Sequence, residues 1–358
     1  MKIRKRILVC PLDWGLGHAT RCIPVIRELQ NHGAEVIIAA DKRPLDLLRQ
    51  EFPQLQFIVF PGYEISYPEI GSMAMTMFLS IPKILKKIKD EKKFLTEIIT
   101  KEKIDGVISD NRYGLGIKSV PTVLILHQMM IKSPFGENIL HRITLNYVKK
   151  FSFCWVPDLP GDNNLSGDLA HQYPLPENTK FVGPLSRFSS FSRNNNSEKK
   201  YDLLVIISGP EPQRTVFEKM ILQQVSEIPH RILVVLGKPE NNTSTTKMKN
   251  VEIVSHLGAE EMFKAVSESK IILARPGYST IMDLAVMGEK AIFVPTPGQT
   301  EQEYLGKMYN KRKRHLCVKQ NELNISKALG DVAYFKSFTG FPNENLLSEK
   351  VEEFLKTC

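Results

Sequence analysis

The chain has few cysteines and no cysteine pattern. Its five, Cys10, Cys22, Cys154, Cys317 and Cys358, are scattered, odd in number and mostly set in apolar surroundings. No CxxC and no Cys/His cluster occurs, so neither a disulfide framework nor a structural zinc site is supported. A reducing, cytosolic compartment fits that usage. Also missing is any apolar run near the roughly 18 residues that a bilayer-spanning helix needs. The basic start is followed by only Ile7-Leu8-Val9-Cys10 before Asp13, which makes a poor signal peptide and reads as a first strand. No sequence repeat is evident. Lys311-Arg312-Lys313-Arg314 lacks the interleaved aromatics of a polynucleotide surface and reads as a solvated helix end, so nucleic acid is not an expected partner.

What is present describes a soluble globular chain of 358 residues, with 42% hydrophobic and 24% charged residues. That length suggests two domains. The net charge of +9 is compatible with phosphorylated substrates or an anionic membrane surface and does not choose between them.

Short apolar runs alternate with helical patterns along both halves. Strands are expected at residues 6–10, 35–40, 55–60, 104–109, 122–127, 152–156 and 180–182, then at 202–207, 231–236, 251–254, 271–274, 291–294 and 315–318. Runs buried on both faces and separated by helices imply a parallel sheet with crossover helices. The expected class is α/β, with two Rossmann-like doubly wound domains. The first spans residues 1–184, a Ser/Asn-rich linker 185–200, and the second 201–340. A last helix within 341–358 is expected to pack back on the first domain. The polar loop 238–249 is expected to be mobile.

In such folds ligands bind at the C-terminal ends of strands, so those ends supply the candidate site. After the first strand comes Asp13-Trp14-Gly15-Leu16-Gly17-His18-Ala19-Thr20-Arg21, a glycine-bearing turn that opens a helix. Its amides and helix dipole would face a ligand, and its glycines permit close backbone approach. A dinucleotide is one reading, with Asp41 on a ribose. The GxGxxG fingerprint is incomplete, however, because its third glycine falls at Thr20, and His18 stands where a pyrophosphate must approach. Asp110, Asn111, His127 and Gln128 end neighbouring strands and, with Arg21, are acceptor-side candidates. In the second half Ser208-Gly209 precedes a helix start with Arg214 one turn in. Arg275-Pro276-Gly277-Tyr278-Ser279-Thr280 opens another helix, with Asp283 one turn later to take a ribose diol. The loop holding Gln299 and Gln302 could fix sugar hydroxyls. Taken singly, each is also an ordinary capped helix or polar loop. The stretch 73–102 combines an apolar stripe with Lys83, Lys86, Lys87, Lys89, Lys92 and Lys93. It reads either as a core-packed helix with a solvated face or as a basic amphipathic helix for an anionic membrane surface.

These pieces resemble the GT-B glycosyltransferases, in particular the family-28-like group that includes the lipid-II-forming N-acetylglucosaminyltransferase and the plant galactolipid synthases. The carriers of the resemblance are Gly15-Leu16-Gly17-His18, Ser208-Gly209 and an R-x-G-x-x-T-x-x-E-like motif from Arg275 to Asp283, followed by Gln299–Gln302. Two departures stand out: Asp283 replaces the family's glutamate and is one methylene shorter, and Asp13-Trp14 replaces small residues in the first turn.

The resemblance implies a GT-B fold with two domains facing across a cleft, joined by a hinge. It implies an inverting, metal-independent transferase that moves a hexose or N-acetylhexosamine from a UDP-sugar to a glycan or lipid-linked acceptor. His18 would be the general base, with Asp13 or Asp110 as a fallback. Gly15 and Gly17 would approach the donor's sugar, while Ser208, Gly209, Arg214, Arg275, Gly277, Ser279 and Thr280 would hold the diphosphate. His256 and Leu257 would lie on the base, Asp283 on the ribose, and Gln299 and Gln302 on the sugar. No metal and no cofactor beyond the UDP-sugar co-substrate is expected. The protein would be cytoplasmic, peripheral on the inner face of the membrane. A UDP-sugar epimerase or hydrolase on the same fold, and a non-catalytic nucleotide-sugar-binding protein, are the alternatives.

Overall fold

A computed structural model describes residues 4–62, 73–133, 136–192, 198–238, 245–338 and 346–358, with backbone only for 73–82 and 84. The chain forms two compact units. One comprises Met1–Ile65, Ala74–Arg187 and Pro342–Cys358, and the other is built mainly from Phe188–Phe341.

The first unit runs β1 (Arg6–Pro11), α1 (Leu16–Asn31), β2 (Glu35–Ala40), α2 (Lys42–Glu51), β3 (Gln56–Val59), α3 (Met73–Glu102), β4 (Gly106–Asp110), β5 (Thr122–Ile125), α4 (Glu137–Val148), β6 (Phe153–Val156), α5 (Asp168–His171) and β7 (Thr179–Phe181). Its parallel sheet has the order β3-β2-β1-β4-β5-β6-β7. Every residue of β4 is buried, as are all but the first of β1 and β2, which is why these runs are continuously apolar rather than alternating. On one face Leu8, Ile37, Val107, Leu124 and Val156 pack with Leu95 and Ile98 of α3 and Val148 of α4. The strand order reverses between β1 and β4, so a crevice opens at the ends of those two strands.

The second unit runs β8 (Tyr201–Ile206), α6 (Gln213–Val225), β9 (Ile232–Val235), β10 (Thr245–Met248), β11 (Val251–Val254), α7 (Ala259–Ser267), β12 (Ser269–Ala274), α8 (Tyr278–Met287), β13 (Ala291–Phe293), α9 (Thr300–Lys311), β14 (Leu316–Cys317) and α10 (Ile325–Asp331). Its sheet order is β10-β11-β9-β8-β12-β13-β14, and the reversal falls between β8 and β12. The expected class, two doubly wound sheets, is what the chain adopts.

The last helix, α11 (Leu346–Thr357), belongs to the first unit. Its Phe354 is fully buried and meets Phe153 and Trp155 edge-on. Lys5 Nζ reaches the Cys358 carbonyl at 2.6 Å. A Cβ on Gly106 would stand 2.6 Å from Cys358 Sγ and 2.7 Å from Phe354. Glycine at the start of β4 is therefore what lets this helix seat.

One local expectation is revised over residues 245–248. The loop at 238–249, read as mobile, contains β10, which pairs antiparallel with β11 from Thr245↔Val254 to Met248↔Val251. All four β10 residues are exposed, so the strand is held by its backbone ladder and leaves no apolar alternation to read. Residues 239–244 lie outside the described residues, as do 193–197 of the expected linker and 341–345 before α11.

Candidate active site

The turn after β1 positions the first group of residues. Gly15 has φ +95°, a left-handed conformation suited to glycine, and it starts α1 with no side-chain cap. The helix thereby places His18 and Arg21, three residues apart and on one face, beside the end of β4. Asp110 there is fully buried. Arg21 grips it with both arms of its fork: Nε donates to Oδ2 at 2.5 Å, and Nη2 donates to Oδ1. His18 Nδ1 lies 3.2 Å from Asp110 Oδ1 and 2.9 Å from Arg21 Nη2. Arg21 Nη1 is 2.8 Å from His127 Nδ1. Arginine only donates, so His127 accepts at Nδ1.

The electrostatics follow from this packing. Burial pushes the Asp110 carboxyl up, but the Arg21 charge, His18 and their hydrogen bonds outweigh it and hold it at about 2. Asp110 is thus ionised at any working pH. Burial first, then the neighbouring Arg21 charge, lowers the His18 imidazole, against the pull of Asp110. His18 Nδ1 faces both groups: an Nδ1–H donated to Asp110 leaves Nε2 basic, whereas an Nδ1 that accepts from Arg21 Nη2 leaves the ring proton on Nε2; the side chain retains 14% exposure.

This arrangement revises two sequence readings. Asp110 was a candidate acceptor contact and fallback base, yet both its oxygens face Arg21 and His18. Arg21, a candidate acceptor contact, is 2% exposed and spent on the same network. Asn111 adopts φ 57°, carrying the chain from β4 to Arg112. Gln128 is half-buried beyond His127. Asp13 is half-buried in the turn, and a Cβ on Gly62 would fall 1.9 Å from its Oδ2. Asp41, the ribose candidate of the dinucleotide reading, caps α2 through Lys42 N (2.9 Å) and takes Gly62 N (3.2 Å).

Sequence reasoning missed a second buried ion pair below this turn. Arg112, with no exposed surface, donates Nε to Glu91 Oε1 at 2.8 Å and Nη2 to Pro61 O at 2.6 Å. Glu91 Oε2 takes Gly114 N at 3.2 Å. An acid within a lysine-rich helix was the available signal. Around it on α3, Lys83, Lys86, Lys89, Lys92 and Lys93 are exposed, Leu85 is half-exposed, and Leu95 and Ile98 are buried. The side chains of the apolar lead-in at 73–79, and of Ile81 and Ile84, lie outside the described residues. Among the described residues no helix is long and apolar enough to cross a membrane.

In the second unit the candidates gather at the exits of β8, β12 and β13. Gly209, in the turn after β8, has φ +117°, and a Cβ there would stand 3.8 Å from Thr296 Oγ1. Arg214, expected at the diphosphate, is engaged by acids of its own unit. Its side chain is 3% exposed and is held by Glu211 Oε1 at 2.6 Å and Glu218 Oε2 at 2.5 Å. Glu211 also accepts from Thr215 N at 3.2 Å, so an acid already occupies the start of α6. A diphosphate placed there would meet a carboxylate.

Arg275 is likewise turned inward. It is 1% exposed, donates to Val294 O and Pro295 O at 2.9 Å and to Gln320 Oε1 at 2.6 Å, and lies 3.8 Å over the Phe217 ring. Burial lowers its pKa to about 9. The two carbonyl bonds fix the main chain at the exit of β13. Gln302 does similar work, its Oε1 accepting from Thr296 N at 2.8 Å. Arg275 Nε, Thr296 Oγ1 and Gln299 Oε1 are buried without a partner among the described residues. Such atoms are uncommon; Thr296 and Gln299 follow β13, and Arg275 follows β12. α8 starts after Gly277 with no side-chain cap; Ser279 and Thr280 are half-buried in its first turn and Asp283 is 7% exposed. His256 and Leu257 follow β11, two strands from β8 in the sheet.

Comparison with known proteins bears on both units. Residues 204–345 match the model of the glycosyltransferase family 28 C-terminal domain. An uncharacterized glycosyltransferase of Methanosarcina mazei is 25% identical over 323 residues, covering 83% of this chain and 81% of that protein. The UDP-N-acetylglucosamine–N-acetylmuramyl-(pentapeptide) pyrophosphoryl-undecaprenol N-acetylglucosamine transferase of Actinobacillus pleuropneumoniae is 23% identical over 315 residues, covering 85% of this chain and 82% of that one. Among solved structures, the spinosyn rhamnosyltransferase SpnG complexed with thymidine diphosphate has a TM-score of 0.61 at 12% identity, with 98% of this chain and 96% of that one covered. At that identity the likeness speaks for the fold.

Proposed function

From the premise that the chain is a family-28-like glycosyltransferase of the GT-B fold, we propose that it transfers a hexose or N-acetylhexosamine from a UDP-sugar, with inversion and without a metal, to a hydroxyl of a glycan or lipid-linked acceptor. The observation that carries the proposal is His18 set on Asp110 at the strand-order reversal of the first unit. In this reading Asp110 holds the Nδ1 proton, and Nε2 removes the acceptor proton as the sugar's anomeric carbon is attacked. Asp13, in the same turn, is an acceptor contact.

The donor belongs to the second unit. The Ser208-Gly209 turn and the uncapped start of α8, with Ser279 and Thr280, would take the diphosphate, whose charge grows as it leaves. Asp283 would take the ribose, His256 and Leu257 the base, and Gln299 the sugar. Arg214 has no part in this binding, and Arg275 serves it only by fixing the β13 exit. The N-acetylglucosaminyl relatives make a cell-envelope glycan precursor the favoured acceptor. The exposed lysines of α3 would then rest on anionic lipid at the inner face of the cytoplasmic membrane.

The test uses purified protein and a panel of UDP-sugars. One of them should bind saturably, and His18→Ala should bind it as tightly while losing transfer. Absence of donor binding, or transfer by His18→Ala at the wild-type rate, refutes the proposal. Release of UDP only when acceptor is present excludes epimerisation and hydrolysis.

A further inference from the structure

We propose that Arg21 is a positioning residue that sets the protonation of His18, keeping the imidazole neutral and able to accept a proton. The proposal deepens the reading of His18 as base and rests on it.

A histidine paired with a buried carboxylate alone becomes more basic, because the carboxylate favours the imidazolium. A base made too strong is already protonated at neutral pH. Here a guanidinium is built into the pair. Arg21 binds both oxygens of Asp110 and comes within 2.9 Å of His18 Nδ1. It cancels the carboxylate's charge and places a like charge beside any imidazolium. Asp110 can therefore orient the ring without fixing a proton on it.

Of the other groups, His127 acts on His18 in the same direction as Arg21, lowering it, but by less. His127, after β5, accepts from Arg21 at Nδ1 and is not protonated on that nitrogen. Cys22, on α1, has its thiol 3.7 Å from Asp110 Oδ2; burial and then Asp110 push it well above the usual thiol range, so it stays neutral. The Tyr113 phenol, which also feels Arg21, is raised by burial. The pocket thus balances one carboxylate against one guanidinium, and a proton on His18 would leave a net buried charge.

The experiment follows the ring nitrogens of ¹⁵N-histidine-labelled full-length protein by NMR across a pH titration, with His18 assigned from His18→Gln. Wild-type His18 should titrate below the ordinary histidine range. Arg21→Gln, which keeps a donor but loses the charge, should raise its midpoint by about one unit or more. Arg21→Lys, which keeps the charge but loses the fork, should leave it low. A residue that mattered only for packing would move both variants alike. An unmoved midpoint in folded Arg21→Gln, or an equal rise in Arg21→Lys, overturns the proposal. Should Arg21→Gln fail to fold, Asp110→Asn carries the test: with the Arg21 charge uncancelled His18 must titrate lower still, and an unchanged or raised midpoint overturns the proposal. If His18 shifts in Arg21→Gln while the acid limb of kcat/KM for transfer does not follow, the role of Arg21 stands and His18 is not the base.

Discussion

Asparagine at position 110 keeps the side chain's shape and removes its charge, and the structure sets the size of the effect. Asp110 has no exposed surface, and its folded pKa of about 2 lies below the ordinary 3.8. A depressed carboxylate contributes stability that is fully present above 3.8 and is lost as pH falls toward 2. At about 1.4 kcal/mol per unit this amounts to roughly 2–3 kcal/mol. Removing the charge also strands Arg21, and breaking a buried pair typically costs about 3–5 kcal/mol. These two figures describe one interaction from its two ends, so a loss near 3 kcal/mol at pH 7 is expected. The two tryptophans, Trp14 and Trp155, both lie in the first unit. Their fluorescence therefore reports unfolding of the relevant unit without mixing in the other. Asp110→Asn should unfold at a clearly lower urea concentration and lose about 10²–10⁴-fold in kcat, as expected of a base that has lost its orienting partner. A variant with wild-type midpoint and wild-type kcat would refute the reasoning.

Three further outcomes are expected. Glu91→Gln strands the fully buried Arg112 and should cost the first unit about 3–5 kcal/mol by the same fluorescence assay. Arg214→Met should leave UDP-sugar affinity within about twofold, since the guanidinium is taken by Glu211 and Glu218; a tenfold loss by calorimetry would mean that it reaches the ligand. His315, boxed by Phe293, Tyr309 and Phe338, accepts from Ala291 N, and burial, then Arg314, lowers its pKa to about 3. The unfolded chain takes up that proton near 6.5, so the second unit should lose up to roughly 4 kcal/mol between pH 6.5 and 3. His315→Asn should flatten that part of the Tm–pH curve; equal slopes in wild type and variant would count against it.

The parallel strands were legible because burial on both faces writes itself as unbroken apolar runs such as Ile7–Cys10 and Val107–Ile108. β10 was not, since its side chains are all exposed and only its backbone is paired. Within the site, strand-end logic named His18, Asp110 and His127 without revealing that His18 meets Asp110 and that Arg21 ties Asp110 to His127. The i,i+3 spacing of His18 and Arg21 was visible and would have placed both on one helix face. The spacing of Glu211 and Glu218 around Arg214 was equally visible, and each is a helical neighbour able to consume the guanidinium. Arg275 offered no such clue: its partners are mainly main-chain carbonyls after a different strand, and main-chain acceptors carry no residue identity.

The discontinuity of the first unit also bears on how the chain is made. Phe354 fills a socket formed by Phe153 and Trp155, yet the whole of Phe188–Phe341 is synthesised between them. At about 5–20 residues per second, a nascent first unit waits roughly ten to thirty seconds for the helix that closes it. During that interval the rim of β6 is bare. A ribosome-bound chain arrested near residue 340 should therefore recruit hydrophobic-binding chaperones at that rim, and release them once residues 346–358 have cleared the exit tunnel.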